Sequence, residues 1–171
     1  GVSHLAFVAL GANLADPQAQ LRAAAAALAD LPESRLLQVS SLYRTAPVGI
    51  RGQPDFINAV AAIRTDLDPQ QLLDALFVVE RRFGRRREFH HAPRTLDLDL
   101  LWFDGVRVST VDLTLPHPRA QERAFVLEPW FDLINTCGWS WPTDLPQPGA
   151  AARQKLAQEQ GIFKLDGHKL L

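Results

Sequence analysis

The sequence predicts an α+β fold whose core elements follow the order βαββαβ and whose sheet is rich in antiparallel strands. Three observations lead to this prediction: two segments with apolar residues at helical spacing, short apolar runs on either side of them, and a pair of such runs between the two helices. A strand pair between helices does not produce the crossovers of a doubly wound parallel sheet. We therefore expect a ferredoxin-like core with its helices on one face of the sheet.

The first strand and helix are predicted from the first 32 residues. The apolar run His4–Leu10 indicates a buried strand, and the segment Gly11–Asn13 interrupts its pattern, so a loop is expected there. Asp16 and Pro17 are typical of an N-cap and first helical position. Apolar residues then recur at helical spacing up to Leu31, which predicts the first helix.

The strand pair is predicted over Arg35–Tyr43 and Phe56–Ile63, where extended-favouring residues are frequent. The intervening loop Arg44–Asp55 contains two prolines and two glycines. Because this loop is too long for a tight hairpin, we expect it to be exposed.

The second helix and the fourth strand complete the predicted core. Asp68-Pro69 repeats the N-cap signal, and an apolar stripe follows until Gly84. The segment Leu96–Phe103 is a strand that should close with the turn Asp104-Gly105. The order βαββαβ follows from these elements.

The length and composition favour one domain over residues 1–171, with a less regular C-terminal extension from about residue 138. Helices are predicted over Arg123–Ile134 and near Ala150–Gln160. The 18 basic and 19 acidic residues give a formal charge of -1. Such a balance produces no general attraction to nucleic acid or anionic lipid, so we expect neither partner.

The compartment expected from the sequence is the cytoplasm. Cys137 is the only cysteine, so an intramolecular disulfide is impossible. The apolar runs are far shorter than the roughly 20 residues of a spanning helix, and no signal-peptide pattern is present.

A pair of acidic residues in the fourth strand is the first candidate site. In Leu96–Leu100 leucine and aspartate alternate, so Asp97 and Asp99 should project from one face while the leucines enter the core. Their Cα atoms would lie roughly 7 Å apart. Two such carboxylates can hold divalent cations spaced about 3.5–4 Å, as in phosphoryl-transfer sites. The alternative is a solvated strand face that bears two acids.

Arginines precede this acidic strand and suggest a phosphate-binding site. Six of them fall within 14 residues: Arg81, Arg82, Arg85, Arg86, Arg87 and Arg94. Guanidinium groups bind phosphate oxygens well, and a magnesium-bound nucleotide would satisfy both arginines and aspartates. A solvated basic loop and a nucleic-acid patch are alternatives, although adjacent carboxylates disfavour the latter. The glycine-rich motifs GxxxxGK[ST] and GxGxxG are absent, so side chains must hold the phosphates.

Six segments together resemble the 6-hydroxymethyl-7,8-dihydropterin pyrophosphokinase family of the folate pathway. They are LGANL (10–14), YRTAP (43–47), QPDFIN (53–58), FGRRR (83–87), PRTLDLDLL (93–101) and LPHPR (115–119). The resemblance spans about residues 4–133 and implies a ferredoxin-like core. It also implies a transferase that moves pyrophosphate from MgATP to the hydroxymethyl group of the pterin and releases AMP.

The resemblance also assigns site residues. Asp97 and Asp99 would hold two Mg²⁺ ions, with Arg85 and Arg94 as further catalytic residues. The matches for ATP binding are Glu80, Arg85, Arg87, Arg94, His117 and Arg123. Those for pterin binding are Thr45, Val48, Phe56, Asn58, His91 and Phe125, with the two phenylalanines on either side of the ring. Stacking and an amide partner suit a flat heteroaromatic lactam.

Departures from the family pattern leave a second hypothesis open. His90 and His91 replace a basic residue and a large aromatic, and Phe77 stands where some members have glutamine. A paralogue that binds pterin or nucleotide as a sensor, without catalysis, is therefore the alternative to an active enzyme. The presence of both Asp97 and Asp99 favours the enzyme, because a binder would not need the two carboxylates.

Overall fold

The structure is a computed structural model that describes residues 3–13, 16–46, 54–83 and 96–169. Its strands are β1 (His4–Ala12), β2 (Ser34–Val39), β3 (Ser41–Thr45), β4 (Phe56–Thr65), β5 (Asp97–Phe103), β6 (Val108–Ser109), β7 (Thr114–Leu115) and β8 (Ile162–Lys169). Its α-helices are α1 (Pro17–Ala29), α2 (Pro69–Arg82), α3 (Ala124–Cys137) and α4 (Ala150–Gln160). The predicted order βαββαβ is confirmed, with the third segment divided between β2 and β3.

The main sheet has the order β5-β1-β4-β3-β8, and β2 also pairs with β4. Each of these pairs is antiparallel. The predicted strand Arg35–Tyr43 divides at Ser40, whose side-chain oxygen accepts a hydrogen bond from the backbone N–H of Val60 at 2.9 Å. Because this hydroxyl occupies the place of a backbone carbonyl, the ladder is interrupted at that residue.

The first strand is longer than predicted, and the expected loop at Gly11 is wrong. β1 runs to Ala12, and Gly11 pairs with Asn58 of β4 on one side and with Asp97 of β5 on the other. A glycine inside a strand is typical of a place where another group approaches the backbone closely. A Cβ at Gly11 would lie 3.1 Å from the Asn58 side-chain oxygen.

The two core helices lie on one face of the sheet, as predicted. Each begins at the expected cap: the Asp16 carboxylate accepts from the backbone N–H of Ala19, and Asp68 forms a capping box with Gln71. Their apolar stripes pack in one cluster with alternate residues of the central strands. Leu98 and Leu100 of β5 belong to this cluster, so the predicted inward leucines are confirmed.

The opposite face of the sheet is covered by α3. The sequence predicted this helix but not the face of the sheet on which it packs. Phe7, Val60 and Leu101 of the sheet pack there against Trp130 and Leu133 of the helix. α4 buries none of its residues and is joined to α3 by the ion pair between Arg153 and Glu128, at 3.3 Å. In the described part of the chain no helix is long and apolar enough to cross a membrane.

Candidate active site

A pocket of about 870 Å³ opens on the face of the sheet that carries α3, beside the first turn of that helix and the last turn of α4. Its sheet residues are Ala9, Leu10, Gly11, Thr45, Ala46, Phe56, Asn58, Asp97 and Asp99, and its remaining residues are Arg123, Phe125, Gln158, Glu159, Gln160 and Gly161. Seven of the predicted site residues therefore line one pocket, although they come from four separate parts of the sequence.

The two carboxylates lie side by side along β5. Asp97 and Asp99 are partly exposed, whereas Leu98 between them is buried on the other face, as the alternation predicted. The residues opposite them on β1 are small: Gly11 pairs with Asp97 and Ala9 with Asp99. Small neighbours leave open space above the carboxylates on the pocket side.

Glu80 of α2 is buried and fixes the backbone between the two aspartates. Its Oε2 accepts a hydrogen bond from the backbone N–H of Leu98 at 2.9 Å. Glu80 does not line the pocket that holds Asp97 and Asp99, but a second pocket of about 480 Å³ that also includes Phe77. The predicted nucleotide-binding glutamate thus sits behind the acidic strand, where it restrains the backbone between the carboxylates.

The donor set around the aspartates fits a magnesium ion that keeps other ligands. Within the described ranges, no group of three His, Cys, Asp or Glu side chains is placed to hold a metal by protein atoms alone. Mg²⁺ usually retains several waters and is bound through one or two carboxylates together with substrate phosphates. Asp97 and Asp99 are two partly exposed carboxylates that line one pocket, so their chemistry fits this requirement.

His117 does not line this pocket, but it lies close enough to Asp99, Arg119 and Arg123 to interact with their charges. Burial lowers the pKa of its imidazole below the ordinary value of 6.5; Asp99 opposes this shift, and Arg123 and Arg119 add to it. Its Nδ1 accepts a hydrogen bond from the backbone N–H of Arg119 at 3.2 Å. The neutral ring therefore carries its proton on Nε2, where it can donate a hydrogen bond.

Acid should destabilise the free protein through His117. Because the pKa is lowered on folding, the unfolded chain binds more protons as the pH falls below 6.5, and this contribution to stability is lost there. We expect Tm to fall more steeply between pH 7 and 5 in wild type than in His117→Asn. Differential scanning calorimetry without ligands measures this; parallel Tm curves for the two proteins would contradict it.

A polar edge for a heterocycle is formed by Asn58 and Thr45, both buried. The Asn58 amide nitrogen donates to the Thr45 hydroxyl oxygen at 2.9 Å. This bond orients the amide, whose oxygen faces the backbone of Gly11. An oriented amide offers a donor and an acceptor to a ligand edge.

Gly11→Ala should weaken ligand binding at this edge. The added Cβ would lie 3.1 Å from the Asn58 side-chain oxygen, so the amide must move by a few tenths of an ångström. For the pterin that the resemblance implies as substrate, we expect the KM to rise about tenfold, because small displacements in a hydrogen-bonded site are costly. Steady-state kinetics measure this, and the KM for ATP serves as internal control. An unchanged pterin KM would contradict the expected crowding.

Aromatic and cationic groups flank the pocket from two layers of the fold. Phe56 begins β4, and Phe125 lies in the first turn of α3. The Arg123 guanidinium carbon lies 5.5 Å from the centre of the Phe125 ring. The structure therefore brings both phenylalanines predicted to stack on the pterin into one pocket with a predicted phosphate-binding arginine.

The last turn of α4 was not predicted to contribute to this pocket. Gln158, Glu159 and Gln160 are polar residues at the end of an exposed helix and have no sequence signal of their own. They reach the pocket because β8, which follows directly, pairs with β3.

Other predicted residues lie outside the described part of the chain. They are Arg85, Arg87, Arg94, Val48, His91 and the neighbouring His90. Most of the predicted loop Arg44–Asp55 lies outside it as well.

The chain is similar to known proteins over most of its length. The family model for 7,8-dihydro-6-hydroxymethylpterin-pyrophosphokinase matches residues 7–135. A 2-amino-4-hydroxy-6-hydroxymethyldihydropteridine pyrophosphokinase of Pseudomonas aeruginosa is 50% identical over 127 residues, which are 74% of this chain and 78% of the relative. The protein of the same name from Methylorubrum extorquens is 39% identical over 153 residues, covering 90% of this chain and 92% of the relative.

A solved structure shows the same fold at low sequence identity. The crystal structure of Plasmodium falciparum HPPK-DHPS, wild type with pteroate, superimposes with a TM-score of 0.68 at 13% identity. The match covers 92% of this chain and 42% of that one, so this chain spans less than half of the Plasmodium protein.

Proposed function

This chain belongs to the 7,8-dihydro-6-hydroxymethylpterin-pyrophosphokinase family, and we propose that the pocket beside Asp97 and Asp99 is its active site. The chain is an ATP-dependent pyrophosphokinase of the folate pathway. It transfers pyrophosphate from ATP to the hydroxymethyl group of 6-hydroxymethyl-7,8-dihydropterin and releases AMP. The observation that carries the site proposal is that one pocket contains the carboxylates of Asp97 and Asp99 together with the side-chain amide of Asn58.

Asp97 and Asp99 are proposed to hold two Mg²⁺ ions together with the nucleotide phosphates. When bound, the ions would neutralise phosphate charge and align the terminal groups of ATP, which is the main requirement of phosphoryl transfer. Glu80 supports this arrangement, since its bond to the N–H of Leu98 restrains the backbone between the two carboxylates. The small residues Ala9 and Gly11 leave room on the pocket side.

Arg123 and His117 are proposed to bind phosphate oxygens. The guanidinium of Arg123 is permanently charged and lines the pocket. Because Nδ1 of His117 accepts from the backbone N–H of Arg119, the Nε2–H of the ring would donate the hydrogen bond to a phosphate oxygen. Arg85, Arg87 and Arg94 lie outside the described residues, and their proposed role is to bind the phosphates of the same nucleotide.

The pterin is proposed to lie between Phe56 and Phe125 with its lactam edge on Asn58. Thr45 orients the Asn58 amide, which can then bind the ring through both a donor and an acceptor. In this position the pterin shares the pocket with Asp97 and Asp99. The roles predicted for Val48 and His91 concern the same ligand.

The experiment that tests this function measures AMP release from ATP with and without 6-hydroxymethyl-7,8-dihydropterin. We expect AMP only when the pterin and Mg²⁺ are both present, with one pterin diphosphate formed for each AMP. Pterin binding without AMP release would instead identify the sensor paralogue.

The number of ions requires a separate measurement. Titration of Mn²⁺ by electron paramagnetic resonance, with a non-hydrolysable ATP analogue and the pterin present, should count two ions per chain. A count of one would contradict the two-ion proposal.

A further inference from the structure

Gln160, the last residue of α4, contacts the backbone on both sides of Arg123. Its Oε1 accepts a hydrogen bond from the N–H of Ala124 at 2.6 Å, and its Nε2 donates to the carbonyl oxygen of Glu122 at 3.0 Å. One side-chain amide, from a residue 36 positions later than Ala124, therefore restrains both peptide neighbours of Arg123.

The first turn of α3 has no capping hydrogen bond from the side chain of its own N-cap residue. Arg123 occupies the N-cap position with φ of -118° and ψ of 114°, and its side chain makes no capping hydrogen bond. The first N–H groups of a helix have no partner within the helix and are usually bound by a side chain near the cap. Gln160 fulfils this role for Ala124 from another helix, which leaves the Arg123 side chain available to the pocket.

Gln160 is itself fixed by the elements around it. α4 ends at Gly161, which has a left-handed conformation with φ of 64°, and β8 begins with the next residue. Ile162 pairs with Thr45 of β3 at the pocket. Upstream, Arg153 joins α4 to α3 through Glu128 and through its contact with the Phe131 ring at 3.8 Å.

We propose that Gln160 is a positioning residue for Arg123: its amide fixes the backbone from which the guanidinium extends into the active-site pocket. The proposal rests on the function proposed above for Arg123, namely phosphate binding. It also assigns a role in the reaction to the C-terminal segment, which lies outside the matched residues 7–135.

A double-mutant cycle separates positioning from general stabilisation. We expect Gln160→Ala to lower kcat about tenfold in wild type, because small misplacements of a binding group are costly. In the Arg123→Ala background, which alone should lose about 100-fold, the same change should cost less than about twofold. Thermal unfolding should be shifted equally by Gln160→Ala in both backgrounds. Equal losses of kcat in the two backgrounds would overturn the proposal.

Two further variants complete the test. Gln154→Ala removes an exposed glutamine of the same helix and should leave kcat unchanged. Gln160→Glu retains the acceptor for the N–H of Ala124 but loses the donor to the carbonyl oxygen of Glu122, so we expect an intermediate loss of kcat. Wild-type activity of this variant would overturn the proposal. The same variant provides the test if Gln160→Ala does not fold.

The outcomes also separate this inference from the proposed function. If Arg123→Ala retains full activity, phosphate binding by Arg123 is wrong and the positioning role is overturned with it. If Arg123→Ala loses activity while Gln160→Ala does not, the positioning role alone is wrong.

Discussion

Replacing Asp99 by Asn should lower kcat by at least about 1,000-fold, because the variant loses the charge of a carboxylate that is proposed to bind Mg²⁺ where phosphate charge must be neutralised. Asp97→Asn should have a similar effect. Both side chains are partly exposed on a strand whose alternate leucines remain in the core, so the fold should be retained. We expect stability within about 0.5 kcal/mol of wild type. AMP release and thermal unfolding, measured on the same samples, test the two statements.

The matched control for the aspartate variants is Asp112→Asn, which makes the same chemical change at an exposed position outside the pocket. Its kcat should equal that of wild type. Near-normal turnover of Asp99→Asn at ordinary Mg²⁺ would refute the assignment of this carboxylate as a metal ligand. Recovery of activity at high Mg²⁺ would instead support this assignment. A metal site that keeps only one of its two carboxylates would bind Mg²⁺ more weakly and would be filled only at a higher Mg²⁺ concentration.

Replacing Asn58 by Leu should weaken pterin binding about 100-fold. Leucine has a similar volume but provides neither donor nor acceptor, so the polar edge of the ligand would be buried without partners. Binding of a non-hydrolysable ATP analogue should be unchanged, because the amide is proposed to contact the pterin only. Calorimetric titration of each ligand measures the two affinities.

Thr45→Val should cause a smaller loss of pterin affinity than Asn58→Leu. It removes the hydroxyl that accepts from the Asn58 amide and keeps the amide itself. We expect a smaller loss of pterin affinity, about fivefold, because only the orientation of the amide is affected. Equal affinity of wild type and Asn58→Leu for the pterin would show that the ring does not bind at this edge.

The elements that the sequence predicted well are those whose signals are local. The caps at Asp16 and Asp68 and the turn Asp104-Gly105 involve residues close in sequence; Asp104 and Gly105 both have positive φ, as a tight turn requires. The wrong prediction at Gly11 has the opposite origin. In the sequence, a glycine at this position indicates the end of a strand. In the structure, Gly11 continues the strand, and its small size is required by Asn58, its partner in the sheet, which lies 47 positions away.

By itself, the sequence determined the order βαββαβ, the placement of Asp97 and Asp99 on one strand face and, through its six motifs, the family. These properties depend on periodicity and on residues close to one another along the chain. Only the tertiary structure decided that α3 covers the opposite face of the sheet and that Gln160 joins the pocket. An exposed helix without a buried stripe carries no local signal of its neighbours, so its position is set by the pairing of β8 with β3.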